Sequence, residues 1–215
     1  MIAEIIPEWY DVEGRKVFRP DSRRKSGFKP TFPAGRFLSQ PLQHWCADLS
    51  DLRRFLAGCE YVSDEEQFGE RDYWQPPERF EESKKGDCED CALWAWRQLL
   101  HMNYPARFAL GSASRYGDGH AWVTFQSEGK TYLLEPLSWP LGLTLPRLSI
   151  LKYKPRFSMS WDGSKVSYFE HTDRKINWSL RGTAVLVWEW LFFWTSFSLR
   201  VVAAATRRIT RAHTR

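Results

Sequence analysis

Cys88 and Cys91 stand three residues apart in "GDCEDCALWAW" (residues 86–96), among Asp87, Glu89 and Asp90 and directly before an apolar run. Cysteines at this spacing can form a redox pair, supply half of a metal site, or contribute one nucleophile beside an incidental neighbour. No Trp-Cys-Gly-Pro context surrounds the pair, which argues against a redox motif, and no second pair at ligand spacing accompanies it for zinc. A nucleophile needs a base, and the base needs an orienting group. His120 opens "HAWVTFQ" after the glycine-rich "GSASRYGDG", and Glu135 lies in the next apolar stretch, "TYLLEPL". His44, His101, His171 and His213 have nothing nearby in the sequence to promote them.

The elements that must position these groups follow from the pattern of residues. Asp87 can cap a helix, and Asp90 imitates the partner of a capping box with a shorter acid. Leu93, Trp96 and Leu100 recur at helical spacing, as do Cys88, Ala92, Ala95 and Leu99, and "NYP" (103–105) ends the helix. Cys88 then sits in the first turn, where unpaired N–H groups and the helix dipole favour a thiolate. Residues 47–58 read as a short amphipathic helix stopped by Gly58, and residues 64–90 turn acidic around the proline-containing loop "DYWQPPERF".

Strands follow at 106–110, 120–126 and 131–137, and "RFSMSWDGSKVSYFEH" predicts a hairpin turning at Asp162-Gly163. With Glu128-Gly129 as a two-residue turn, Ser127 faces Lys130 and His120 faces Leu137. Glu135 then shares a face with Leu137, diagonal to His120, whereas a one-residue slip would separate the two. One helix followed by antiparallel strands reads as α+β. Three parts are expected: an extended basic arm over 1–45, carrying Phe18, Phe28 and Phe32, a catalytic domain over 46–180, and an apolar helix with an arginine-rich tail over 181–215.

Charge and composition narrow the partners. The net charge of +5 lies in the five arginines from Arg200 onward, and without them the chain balances at 26 basic and 26 acidic residues. A neutral body with a short basic tail argues against base-specific nucleic-acid binding and suits a membrane surface or a polyanion. Residues 183–206, "TAVLVWEWLFFWTSFSLRVVAAAT", are long enough to span a bilayer as a helix and are interrupted only by Glu189 and Arg200. Trp188, Trp190 and Trp194 suit a tilted or interfacial helix, with a core helix as the alternative. The N-terminus shows no secretory signal pattern, and four cysteines are too few for a disulfide scaffold. A cytoplasmic location, free or on the cytoplasmic face of a membrane, is expected.

The stretch "DYWQPPERFEESKKGDCEDCALWAWRQL" resembles the bacterial transglutaminase-like cysteine proteinases, within the papain-like transglutaminase superfamily. That family shows an aromatic "DYW…P.E" stretch, "GDCEDYA" opening a helix, a strand beginning with His and a strand bearing Asp, and the similarity covers about residues 60–140. It implies a papain-like α+β fold, with the helix of Cys88 packed on an antiparallel sheet. It further implies a peptidase acting on protein substrates through a thioacyl intermediate, with Cys88 as nucleophile, His120 as general base and acid, and Glu135 as orienting carboxylate. The Cys88 N–H would form part of an oxyanion hole, with Trp74 as a second donor or a wall. Glu135 departs from the family's Asp, and Cys91 replaces an aromatic. The same triad can run transglutamination or deamidation, and the Glu135 departure admits an inactive, membrane-tethered interaction module. The family's adhesin-cleaving branch holds calcium with acids flanking the cysteine, and Asp87 and Glu89 resemble those positions, with helix capping as the alternative role.

Overall fold

In a computed structural model of the chain, residues 2–5, 12, 14–17, 34–113, 117–137 and 153–171 are described. The elements run β1 (Ile2–Ile5), β2 (Arg15–Val17), α1 (Arg36–Ser39), α2 (Leu49–Ala57), β3 (Glu60–Tyr61), α3 (Asp64–Phe68) and α4 (Pro77–Ser83). They continue with β4 (Lys85–Gly86), α5 (Cys88–His101), β5 (Ala106–Ala113), β6 (Gly117–Ser127), β7 (Lys130–Leu134), β8 (Tyr153–Trp161) and β9 (Val166–Glu170). Seven strands form one antiparallel sheet in the order β1-β7-β6-β5-β8-β9-β2, and β3 pairs with β4 beside it. Mixed helix and antiparallel sheet is the α+β class expected. Two segments of the region anticipated as an extended arm are strands at the sheet's two outer edges, β1 on β7 and β2 on β9.

Local chemistry explains the helix boundaries. Asp48 caps α2 by accepting the Asp51 N–H at 2.8 Å, and the Gly58 N–H closes its far end on Phe55 and Leu56. Pro77 opens α4, where a missing N–H costs nothing. Asn103, in left-handed backbone at φ 61°, follows the end of α5 at "NYP".

α5 lies across β5 and β6, and its residues Cys91 to Leu99 are buried almost all round. Leu93, Trp94, Trp96 and Leu99 share one continuous core with Phe108, Val123, Phe125 and Leu134 of the sheet. Burying an aromatic or aliphatic side chain of this size contributes about 1.5–3 kcal/mol, so α5 is fixed by packing rather than by propensity.

The register of β6 and β7 is the expected one, with Ser127 opposite Lys130 and Val123 opposite Leu134. Both turn residues, Glu128 (φ 51°) and Gly129 (φ 73°), have the positive φ that a type I′ turn requires. The β8–β9 hairpin differs by one residue from expectation. Trp161 pairs with Val166 and Asp162 bonds to Lys165, which centres the turn on Gly163-Ser164. The Asp162 carboxylate accepts the Ser164 and Lys165 N–H groups and so serves as a turn cap instead of a turn centre. Phe18, Phe28 and Phe32 lie outside the described residues, as does the apolar segment 183–206. Among the described residues no helix is long and apolar enough to cross a membrane.

Candidate active site

The site forms where the start of α5 meets the beginning of β6. Gly86 leads into the helix in a cleft that admits no side chain: a Cβ there would fall 2.5 Å from Asp90 Oδ2 and 2.6 Å from Gln75 Nε2. Asp90 is fully buried and makes three contacts, taking the Gln75 N–H at 2.9 Å, the Gln75 side-chain amide at 2.5 Å and, reaching back, the Asp87 N–H at 3.4 Å. It therefore does more than the capping-box partner anticipated, because it also ties the "DYWQ" segment to the helix start. Burial pushes its carboxyl up to about 8, against the pull of the Gln75 bonds.

Cys88 is half-buried in the first turn of α5. Its Sγ lies 3.1 Å from Glu89 Oε2 and 3.9 Å from the carbonyl oxygen of Gly119, and the Ala121 N–H points at the sulfur. Gly119 has φ +88°, backbone that only glycine adopts without strain, and it immediately precedes His120. The sulfur is thus held against the residues on either side of His120. The helix N-terminus alone would favour a thiolate, yet the Cys88 thiol is raised well above its ordinary value. Burial is the largest cause, followed by the charges of Glu89 and Asp87, and the thiol's bond to Glu89 adds to them. Burial, joined by two carboxylates within the same turn, opposes the dipole.

His120 and Glu135 are both buried, and Nε2 of the ring is 2.8 Å from Glu135 Oε2. Glu135 follows β7 directly, and its extra methylene relative to Asp still permits this contact. The carboxylate is braced twice more: the Tyr153 hydroxyl donates to Oε2 at 2.6 Å, and the Leu137 N–H donates to Oε1 at 3.0 Å. Tyr153 and Trp122 also flank the imidazole, at ring separations of 6.1 and 5.9 Å. Tyr153 escaped the sequence reading. It lies 18 residues beyond Glu135, and only the pairing of β8 with β5 brings it to the site.

Trp74 packs between Phe37 and Phe108 and gives its indole N–H to Asp72 at 2.9 Å. Cys91 is buried in the core on α5.

On the other side of Cys88 stands a group of acids. Oxygens of Asp64, Asp72 and Glu89 lie within 4.8 Å of one another, as do those of Asp64, Asp87 and Asp90. Asp64 Oδ1 and Asp87 Oδ1 are buried without a hydrogen-bond partner. Burial and the neighbouring Asp87 push Glu89 up to about 9, and burial also raises Asp64 and Asp87. Crowded, dry carboxylates with unused oxygens fit either protons or a hard cation. Asp87 and Glu89 were expected from sequence. Asp64 and Asp72 were not, although both lie in the stretch flagged as acidic.

The model of the Transglutaminase-like superfamily matches residues 44–134. No curated protein matches the chain. Among solved structures, the chain is similar to Legionella pneumophila LapG at 20% identity, covering 62% of this chain and 72% of that one, with a TM-score of 0.43. The calcium-bound form of LapG gives 20% identity, 72% and 83% coverage and a TM-score of 0.44. Likenesses this distant carry no residue-level argument.

Proposed function

We propose that this chain, whose residues 44–134 match the model of the transglutaminase-like superfamily, is a cysteine peptidase with Cys88 as nucleophile, His120 as general base and acid, and Glu135 as the orienting group. The observation that carries the reading is the meeting of two elements. A half-buried thiol at a helix start lies against Gly119 and Ala121, and the histidine between them is held by a braced carboxylate. With Nε2 bound to Glu135, proton transfer in this reading runs through Nδ1. The thiol proton passes to His120, the thiolate attacks a substrate carbonyl, and His120 returns the proton to the leaving amine; water then resolves the thioacyl-enzyme. The Cys88 N–H, at the helix start, stabilises the oxyanion.

The acids beside Cys88 fit calcium. Their donors are all oxygen, and two of those oxygens are buried and unpartnered. Asp64, Asp72, Asp87 and Glu89 would hold the ion. Its charge would offset the two carboxylates that oppose the Cys88 thiolate. The C-terminal apolar segment and its arginines supply a membrane tether in this reading, on the basis of their sequence.

Incubation of the full chain with host protein extract in calcium, followed by mapping of newly formed termini, tests the activity. New termini that vanish with Cys88→Ala support hydrolysis. New isopeptide bonds or Gln-to-Glu conversions would assign the same triad to acyl transfer or deamidation instead, and no product of any kind would count against an enzyme.

A further inference from the structure

A second group of metal-ligating side chains lies at the start of α2, away from the nucleophile. A ring nitrogen of His44, the sulfur of Cys46 and a carboxylate oxygen of Asp51 all fall within 4.8 Å of one another. His44 Nε2 is buried without a hydrogen-bond partner, and Asp51 Oδ2, at 3.7 Å, is too far to be one. Cys46 is buried.

We propose that His44, Cys46 and Asp51 form a zinc site with one open position. Imidazole, thiolate and carboxylate together suit zinc better than calcium or magnesium, which take oxygen alone. Ligands around a tetrahedral zinc stand roughly 3.5 Å apart, from bond lengths of about 2.0–2.3 Å. The three groups, within 4.8 Å of one another, therefore need to close by at most about 1.3 Å.

The backbone that carries two of the ligands is already fixed. Glu81 of α4 accepts the Gln43 and His44 N–H groups at 2.7 and 2.9 Å. Gln98 of α5 accepts the Cys46 N–H at 2.9 Å and donates to the His44 carbonyl at 2.8 Å. The His44 ring stacks on Phe55, which sets its plane. Asp51 is placed by the capping of α2; its Oδ1 is taken by Arg54 at 3.0 Å, and its Oδ2 accepts the Ala47 N–H at 3.2 Å and faces His44 at 3.7 Å. Supporting bonds of this kind orient ligands in built metal sites. Sequence reading passed over the site because His44-x-Cys46 is a short pair on a loop, completed only when Asp51 turns back at the start of α2. Gln98 lies ten residues along α5 from Cys88, about 15 Å, so the site is separate from the catalytic one and braces the helix that carries it.

The test uses the full chain as Cys88→Ala, so that the nucleophile cannot bind metal, with calcium present to occupy the acids. Zinc is titrated against a chromophoric chelator, and cobalt is used as a spectroscopic probe. One zinc per chain, a thiolate-to-cobalt charge-transfer band, and a melting temperature that rises with zinc are expected. Cys46→Ser should abolish the band, and Cys46→Ser and His44→Gln should each weaken zinc by at least about tenfold. Asp51→Asn provides a third variant should either of those fail to fold. Zinc binding that is absent, or is unchanged in every folded variant, would overturn the proposal.

Discussion

The two sides of Cys88 are built on opposite terms. On the sheet side, Glu135 is saturated: His120, Tyr153 and the Leu137 N–H all reach one carboxylate inside the core. On the helix side, Asp64 and Asp87 keep unpartnered oxygens, and their neighbour Glu89 takes the Cys88 thiol. A saturated network is preorganised and depends little on conditions, whereas crowded carboxylates respond to protons and cations. Under the proposed mechanism, the difference separates the groups that would move the proton from those that would decide how readily the thiol ionises.

Removing the chemistry itself should have the largest effect. Cys88→Ala and His120→Ala should each lower kcat by about 10⁶ while leaving the circular dichroism spectrum unchanged. Glu135→Gln keeps the shape but removes the charge that fixes the ring, and a loss of about 10⁴ is expected. A Glu135→Gln enzyme as active as wild type would break the sheet side of the comparison.

Tyr153→Phe sharpens it. The substitution deletes one hydrogen bond to a buried carboxylate, worth about 1.5–3 kcal/mol. Steady-state kinetics should show kcat reduced by about ten- to a hundredfold with KM little changed, as befits a positioning residue. A change in KM alone would place Tyr153 against substrate instead.

The helix side should answer to pH and metal. In the metal-free fold Glu89 titrates at about 9 and Asp90 at about 8, both raised mainly by burial. The folded state thus holds protons that the unfolded chain releases near pH 4. Stability from these groups is complete below that range and is lost as pH rises through 8 and 9. In chelator the melting temperature should fall between pH 6 and 9, and Glu89→Gln should flatten the slope. Calcium should oppose the fall, because it binds ionised Asp87 and Glu89. A slope that neither Glu89→Gln nor calcium alters would remove the acids from the account.

Periodicity and turn chemistry made much of this legible in advance. The helical repeat after Cys88, the Glu128-Gly129 turn and strand alternation were enough to place His120 and Glu135 on one face, and the register observed is the one they imply. What escaped depends on contacts between distant segments. Tyr153 needs the β5–β8 pairing, and Asp64 needs α3 folded back against α5. The opening residues read as an irregular arm because strands of three and four residues are too short to show alternation. The environment of the Cys88 thiol is only half legible for an energetic reason: the dipole at a helix start is visible in sequence, and the burial that opposes it is not.

The central claim, that Cys88 is a nucleophile activated by His120, is tested most directly by competitive alkylation of the full chain at neutral pH in calcium, with each cysteine quantified by mass spectrometry. Cys88 should react far ahead of Cys46 and Cys59, whose thiols burial pushes up to about 12 and about 11, and His120→Ala should erase that lead. Slow, equal labelling of all three cysteines, unaffected by His120→Ala, would contradict the claim.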